Sequence, residues 1–141
     1  MDIRQITPHY AVSPQIDPED VAEIAGMGFG TIICNRPDPE IPASHASSVM
    51  AQAAADVGLH FVDNPVTHHG LNEAMVKIQR DTQDTSGAPV LAYCASGTRS
   101  TIVWALGQAG AMQTDEIIAA AAEGGYDIAG LAPQLDRLAE R

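Results

Sequence analysis

Cys94, Arg99 and Ser100 share one short run, Cys94-Ala95-Ser96-Gly97-Thr98-Arg99-Ser100, directly after the apolar segment Pro89-Val90-Leu91-Ala92-Tyr93. A thiol acts as a nucleophile when nearby positive charge favours its thiolate, and an anion held beside it needs converging donors. This run supplies both. In a tight loop between a strand and a helix, successive backbone N–H groups point inward, so Ala95, Ser96, Gly97 and Thr98 form an anion nest. A helix starting near Ser100 adds the positive end of its dipole and its unsatisfied N–H groups. Gly97 permits a backbone angle that other residues resist. Arg99 brings a permanent planar fork for bidentate contact with an oxyanion. Ser100 is the candidate donor of a hydrogen bond to the Cys94 thiolate. The plain alternative is a buried strand-end cysteine, the usual fate of a free thiol. It leaves the spacing of glycine, arginine and serine unexplained.

Secondary candidates sit at other strand ends. In Asn35-Arg36-Pro37-Asp38, Arg36 either assists anion binding or pairs with Asp38 to brace its loop, and exposed pairs of that kind are weak. Asp63 precedes Asn64-Pro65 and is the one carboxylate near a position where a general acid would serve. His68 and His69 are candidates for an acid, a base or an acceptor-binding group. Adjacent histidines on one loop seldom ligate the same ion, and neither His45 nor His60 completes a metal-ligand spacing, so no metal is expected. Cys34 is either a resolving thiol for Cys94, which requires Cα atoms within about 7 Å, or a small buried strand residue.

The elements that must position these residues follow from the pattern of the chain. Tyr10–Ser13, Thr31–Cys34, Leu59–Val62 and Pro89–Tyr93 read as short strands rich in β-branched or apolar residues. Between them lie helical segments. One opens at Asp17-Pro18-Glu19-Asp20 and stops near Gly26 or Gly28. An alanine-rich one runs over about Ser44–Val57, and another over Leu71 to about Asp81. Helices over about Ser100–Ala109, Thr114–Glu123 and Ala132–Glu140 complete a helical C-terminal part. Alternation of this kind predicts an α/β fold, with a largely parallel central sheet flanked by helices on both faces. Ligands in such sheets bind beyond the carboxyl ends of the strands, where Cys94, Asn35-Arg36 and Asp63-Asn64 all fall.

At 141 residues with 45% hydrophobic residues, the chain is long and apolar enough to form a single domain over 1–141. The formal net charge of −11 argues against nucleic acid and anionic membranes as partners. No run approaches the roughly 20 apolar residues that span a bilayer. The N-terminus lacks a signal-peptide pattern, so a cytoplasmic location is expected. Two cysteines are too few for a disulfide framework, and a reducing compartment keeps them as thiols.

The Cys94–Ser100 loop resembles that of the phosphatase-like domain of β-lactamase-hydrolase-like proteins, which are of sulfur dioxygenase type. The likeness extends through Tyr10-Ala11-Val12-Ser13, Thr31-Ile32-Ile33-Cys34-Asn35-Arg36-Pro37-Asp38 and Gly124-Gly125-Tyr126-Asp127. It implies a fold like protein tyrosine phosphatases, with Cys94 as nucleophile and Arg99 binding the transferred group. It implies either phosphatase or rhodanese-like sulfurtransferase activity, no cofactor, and a sulfur dioxygenase as partner. Four residues separate Cys94 from Arg99; cysteine-dependent phosphatases resemble one another in a gap one residue longer, with histidine before the cysteine where Tyr93 stands. Rhodanese-type enzymes use the shorter loop, and a persulfide sulfur fits the smaller nest. No aspartate follows Pro65, where a phosphatase of this kind carries its acid. The expectation is therefore sulfur transfer from a small sulfur-containing anion through a Cys94 persulfide. Hydrolysis of a phosphorylated substrate is the alternative, and a non-catalytic anion or redox sensor is a third.

Overall fold

A computed structural model describes residues 1–67 and 70–140 of the chain. Five strands, β1 (Arg4–Thr7), β2 (Tyr10–Ser13), β3 (Thr31–Cys34), β4 (His60–Asp63) and β5 (Val90–Tyr93), form one sheet in the order β1-β2-β5-β3-β4. β1 runs antiparallel to β2, and the other neighbours are parallel. The three inner strands are buried along their whole length, which explains their unbroken apolar sequences.

Strand alternation splits the interior into two cores. Tyr10, Val12, Ile33, Val90 and Ala92 face a cluster that includes Trp104, Ile117 and Leu135. That face is covered by α3 (Glu73–Thr85), α4 (Thr98–Gln108), α5 (Thr114–Glu123) and α6 (Ala132–Ala139). Ala11, Ile32, Cys34, Leu91 and Tyr93 point the other way, against α1 (Asp20–Gly26) and α2 (Ser47–Asp56). The expected α/β layering, parallel sheet and helical C-terminal part are all present.

The differences have local causes. β1 escaped notice because Ile6 is its one buried residue. α2 starts later than its alanine-rich pattern, since residues 43–45 form a 3-10 turn first. α3 starts at Glu73, where the Asn72 side chain caps the Met75 N–H, and it continues through polar residues to Thr85. α4 begins at Thr98, inside the loop and earlier than expected.

Candidate active site

The Cys94 N–H donates to Ser13 O at 3.3 Å, so the thiol leaves the sheet at the end of β5. The chain then turns through Ala95 and Ser96 to Gly97, whose φ of +92° is left-handed and caps α4. That turn aims the Gly97 N–H at Cys94 Sγ, 3.1 Å away. Thr101 ties down the far side of the same turn, with its Oγ1 donating to Gly97 O at 2.8 Å. Cys94 is 1% exposed, whereas Ala95, Ser96 and Thr98 form an open rim. The loop is thus a donor nest at a helix N-terminus with a buried sulfur at its base.

Arg99 is oriented by an acidic partner that the sequence did not single out. Its Nη1 and Nη2 donate to the two carboxylate oxygens of Glu40, each at 2.8 Å, and Nη1 also donates to Val66 O at 2.7 Å. Those Glu40 bonds hold the guanidinium above its ordinary basicity, with burial working against them and the nearby Cys94 sulfur adding to them. Arg36 pairs with Glu40, not with Asp38 as expected: its Nε lies 3.3 Å from Glu40 Oε1, and Nη1 donates to Gln15 Oε1 at 3.2 Å. Asp38 instead accepts from the Ser47 N–H at 2.9 Å. Glu40 therefore bridges two arginines.

Beneath the loop runs a buried polar network. Gln79 Oε1 accepts from Asn35 Nδ2 and Asn64 Nδ2, both at 2.9 Å, and Gln79 Nε2 donates to Tyr10 Oη at 2.9 Å. Tyr10 in turn donates to Ser100 O at 2.7 Å. Asn35 is wholly buried, and through Gln79 and Tyr10 the network ties the ends of β3 and β4 and the start of β2 to α3 and α4. The Ser100 hydroxyl does not donate to the thiolate as expected; it is buried with no hydrogen-bond partner among the described residues. Only the Ser100 carbonyl enters the network.

Cys34 and Cys94 are both free thiols, and Cys34 belongs to the core on the opposite face, against α1 and α2. Of the two readings of Cys34, a resolving thiol or a small buried strand residue, the burial matches the second. Burial pushes the Cys34 thiol up, making it a poor thiolate. Asp63 ends β4, where partial burial raises its carboxyl and Ser47 offsets this by hydrogen bonding. His68 and His69 lie outside the described residues. Among the described residues, no group of three or more His, Cys, Asp or Glu side chains gathers where a metal ion could be held.

One contributor comes from far along the chain. Tyr126 Oη donates to Ser96 O at 2.9 Å and lies against Gly97. The preceding Gly124-Gly125 makes this placement possible, since Gly125 takes φ +96°. A cavity of about 360 Å³ opens beside the loop, lined by Val66, Leu71, Ala95, Ser96, Arg99 and Ile102 among others.

Residues 2–111 match the family described as "Beta-lactamase hydrolase-like protein, phosphatase-like domain". A beta-lactamase hydrolase-like protein of Xylella fastidiosa (strain 9a5c) is 32% identical over 99% of this chain. The chain spans about a third of that relative's length, 33%. A crystal structure named "putative phosphatase", from Neisseria meningitidis Z2491, is 34% identical, with a TM-score of 0.83 over 98% of this chain and 99% of that one. The P. aeruginosa protein TpbA, solved in complex with pTyr, is 16% identical, with a TM-score of 0.65 over 99% of this chain and 88% of that one. The fold is that of protein tyrosine phosphatases.

Proposed function

Because this chain belongs to the phosphatase-like domain family of beta-lactamase hydrolase-like proteins, we propose that it is a cysteine-dependent phosphatase acting on small phosphomonoesters. The observation that carries this reading is the Cys94 sulfur beneath a nest of N–H donors, beside an arginine braced by Glu40. The fold it shares with phosphatase-named relatives supports the same choice over sulfur transfer.

In this mechanism the Cys94 thiolate attacks phosphorus in line with the ester oxygen. An S–P bond forms as the P–O bond breaks, and the alcohol departs with a proton taken from water. The loop N–H groups and Arg99 neutralise charge developing on the equatorial oxygens. Water then attacks phosphorus, the S–P bond breaks, and inorganic phosphate leaves with the thiolate restored. With no aspartate after Pro65, leaving groups that depart without strong protonation are favoured, which selects phenolic over alkyl esters. The pTyr bound by the more distant relative is of that phenolic kind.

A second reading, sulfur transfer through a Cys94 persulfide, is favoured by the four-residue gap between Cys94 and Arg99. A sulfur dioxygenase as partner belongs to that reading alone. The two separate in one assay. The protein is expected to hydrolyse p-nitrophenyl phosphate, and Cys94→Ser to lower that rate on the order of a thousandfold or more. Thiocyanate production from thiosulfate and cyanide, with no release of nitrophenol, would overturn the phosphatase reading in favour of the second. An unchanged rate in Cys94→Ser would overturn both.

A further inference from the structure

We infer that Tyr126 is a positioning residue for the nucleophile, acting through a single peptide plane. This rests on Cys94 being the reacting group. The peptide joining Ser96 to Gly97 is trans, as are all the peptide bonds described. Its C=O and N–H therefore point in opposite directions from one rigid plane. The C=O end accepts the Tyr126 hydroxyl at 2.9 Å. The N–H end is aimed at Cys94 Sγ, 3.1 Å away. Fixing one end fixes the other.

The plane needs fixing because its neighbour is a glycine. Gly97 tolerates both signs of φ, so rotation of this peptide about its flanking bonds is cheap, and a rotated plane would turn an oxygen toward the sulfur. A carbonyl oxygen facing a thiolate repels it, whereas an N–H facing it is a charge-assisted hydrogen bond. The Tyr126 hydroxyl favours the second arrangement in two ways. It anchors the carbonyl away from the sulfur, and by donating to that carbonyl it polarises the peptide and strengthens the N–H on the other end.

Tyr126 is itself held in place. Burial raises its hydroxyl, keeping it a protonated donor, and the Cys94 sulfur contributes to that shift. Arg4 reaches Gly124 O at 3.3 Å, so β1 braces the Gly124-Gly125 turn that presents the ring. The ring approaches so closely that a Cβ on Gly97 would lie 2.1 Å from its oxygen. A phenylalanine keeps the ring and removes only the donor.

The experiment compares the wild-type chain with Tyr126→Phe, using iodoacetamide alkylation of Cys94 across pH, read by intact mass. In the variant, the midpoint of the alkylation profile is expected to move upward by about one pH unit, as for loss of one hydrogen bond to a charged group. On p-nitrophenyl phosphate, kcat is expected to fall about tenfold with KM changed less than about twofold. Coincident alkylation profiles, or faster alkylation of the variant at every pH, would overturn the inference; the latter would mean that the ring merely shields the thiol. Tyr126→Leu serves if the phenylalanine variant is poorly folded, with the same two outcomes. Alkylation needs no substrate. If the wild type hydrolyses no phosphate ester yet the profiles differ as expected, the positioning role holds and the phosphatase reading fails.

Discussion

At Gly97 two demands meet that no other residue satisfies: a φ of +92° and room for the Tyr126 hydroxyl, 2.1 Å from where a Cβ would sit. Gly97→Ala is therefore expected to destabilise the protein by about 1–3 kcal/mol and to abolish turnover, because the loop must yield before the tyrosine does. Thermal melting and steady-state kinetics on one preparation check both effects. The residues of the loop were legible in the sequence because Cys94, Gly97 and Arg99 act through local backbone geometry. Their supports were not. Glu40 meets Arg99 across 59 positions and Tyr126 meets Ser96 across 30, and single-chain spacing carries no signal for contacts so distant. The Gly124-Gly125-Tyr126 motif carries a family likeness in the sequence, but the turn that requires its second glycine is visible only in the fold. Ser100 shows the opposite case: a hydroxyl placed beside the thiol by sequence makes no hydrogen bond among the described residues.

Among elements, the long helices and inner strands were readable because each carries a strong period or an unbroken apolar run. α5 matched its expected span, Thr114–Glu123, where Gln113 and Glu116 form a reciprocal cap. β3 likewise matched at Thr31–Cys34. β1 failed because an edge strand with one buried side chain has almost no hydrophobic pattern to read. α3 is the instructive case, since its inward face is polar at Gln79. That side chain satisfies Asn35, Asn64 and Tyr10 together, joining the start of β2 and the ends of β3 and β4 to the helix. Gln79→Leu is expected to cost on the order of 3–5 kcal/mol, far more than its own bonds, because it strands several buried polar groups. Chemical denaturation measures this, and a loss below about 1 kcal/mol would show that water replaces the amide.

For the whole molecule, the reach of sequence likeness and the reach of the folded unit differ. The family match ends at residue 111, yet Ile117, Ala121, Ile128 and Leu135 complete the core beneath the site. Burial of each of the three large side chains is worth about 2 kcal/mol and the Ala121 methyl less, so together they rival the entire stability of a domain this size. A chain ending at residue 111 is expected to lose its cooperative thermal transition by circular dichroism; a sharp transition would show that the C-terminal helices are dispensable. Trp104 ties this scale back to the loop. It is the one tryptophan in the chain, 1% exposed, and it lies on α4, the helix that carries Arg99. Its ring stacks on Tyr10 at 5.8 Å, and Tyr10 holds Ser100 O. All indole emission from the folded protein therefore arises at one dry position mechanically joined to the anion nest. An anion entering the nest is therefore expected to change the Trp104 emission, which titration with inorganic phosphate checks.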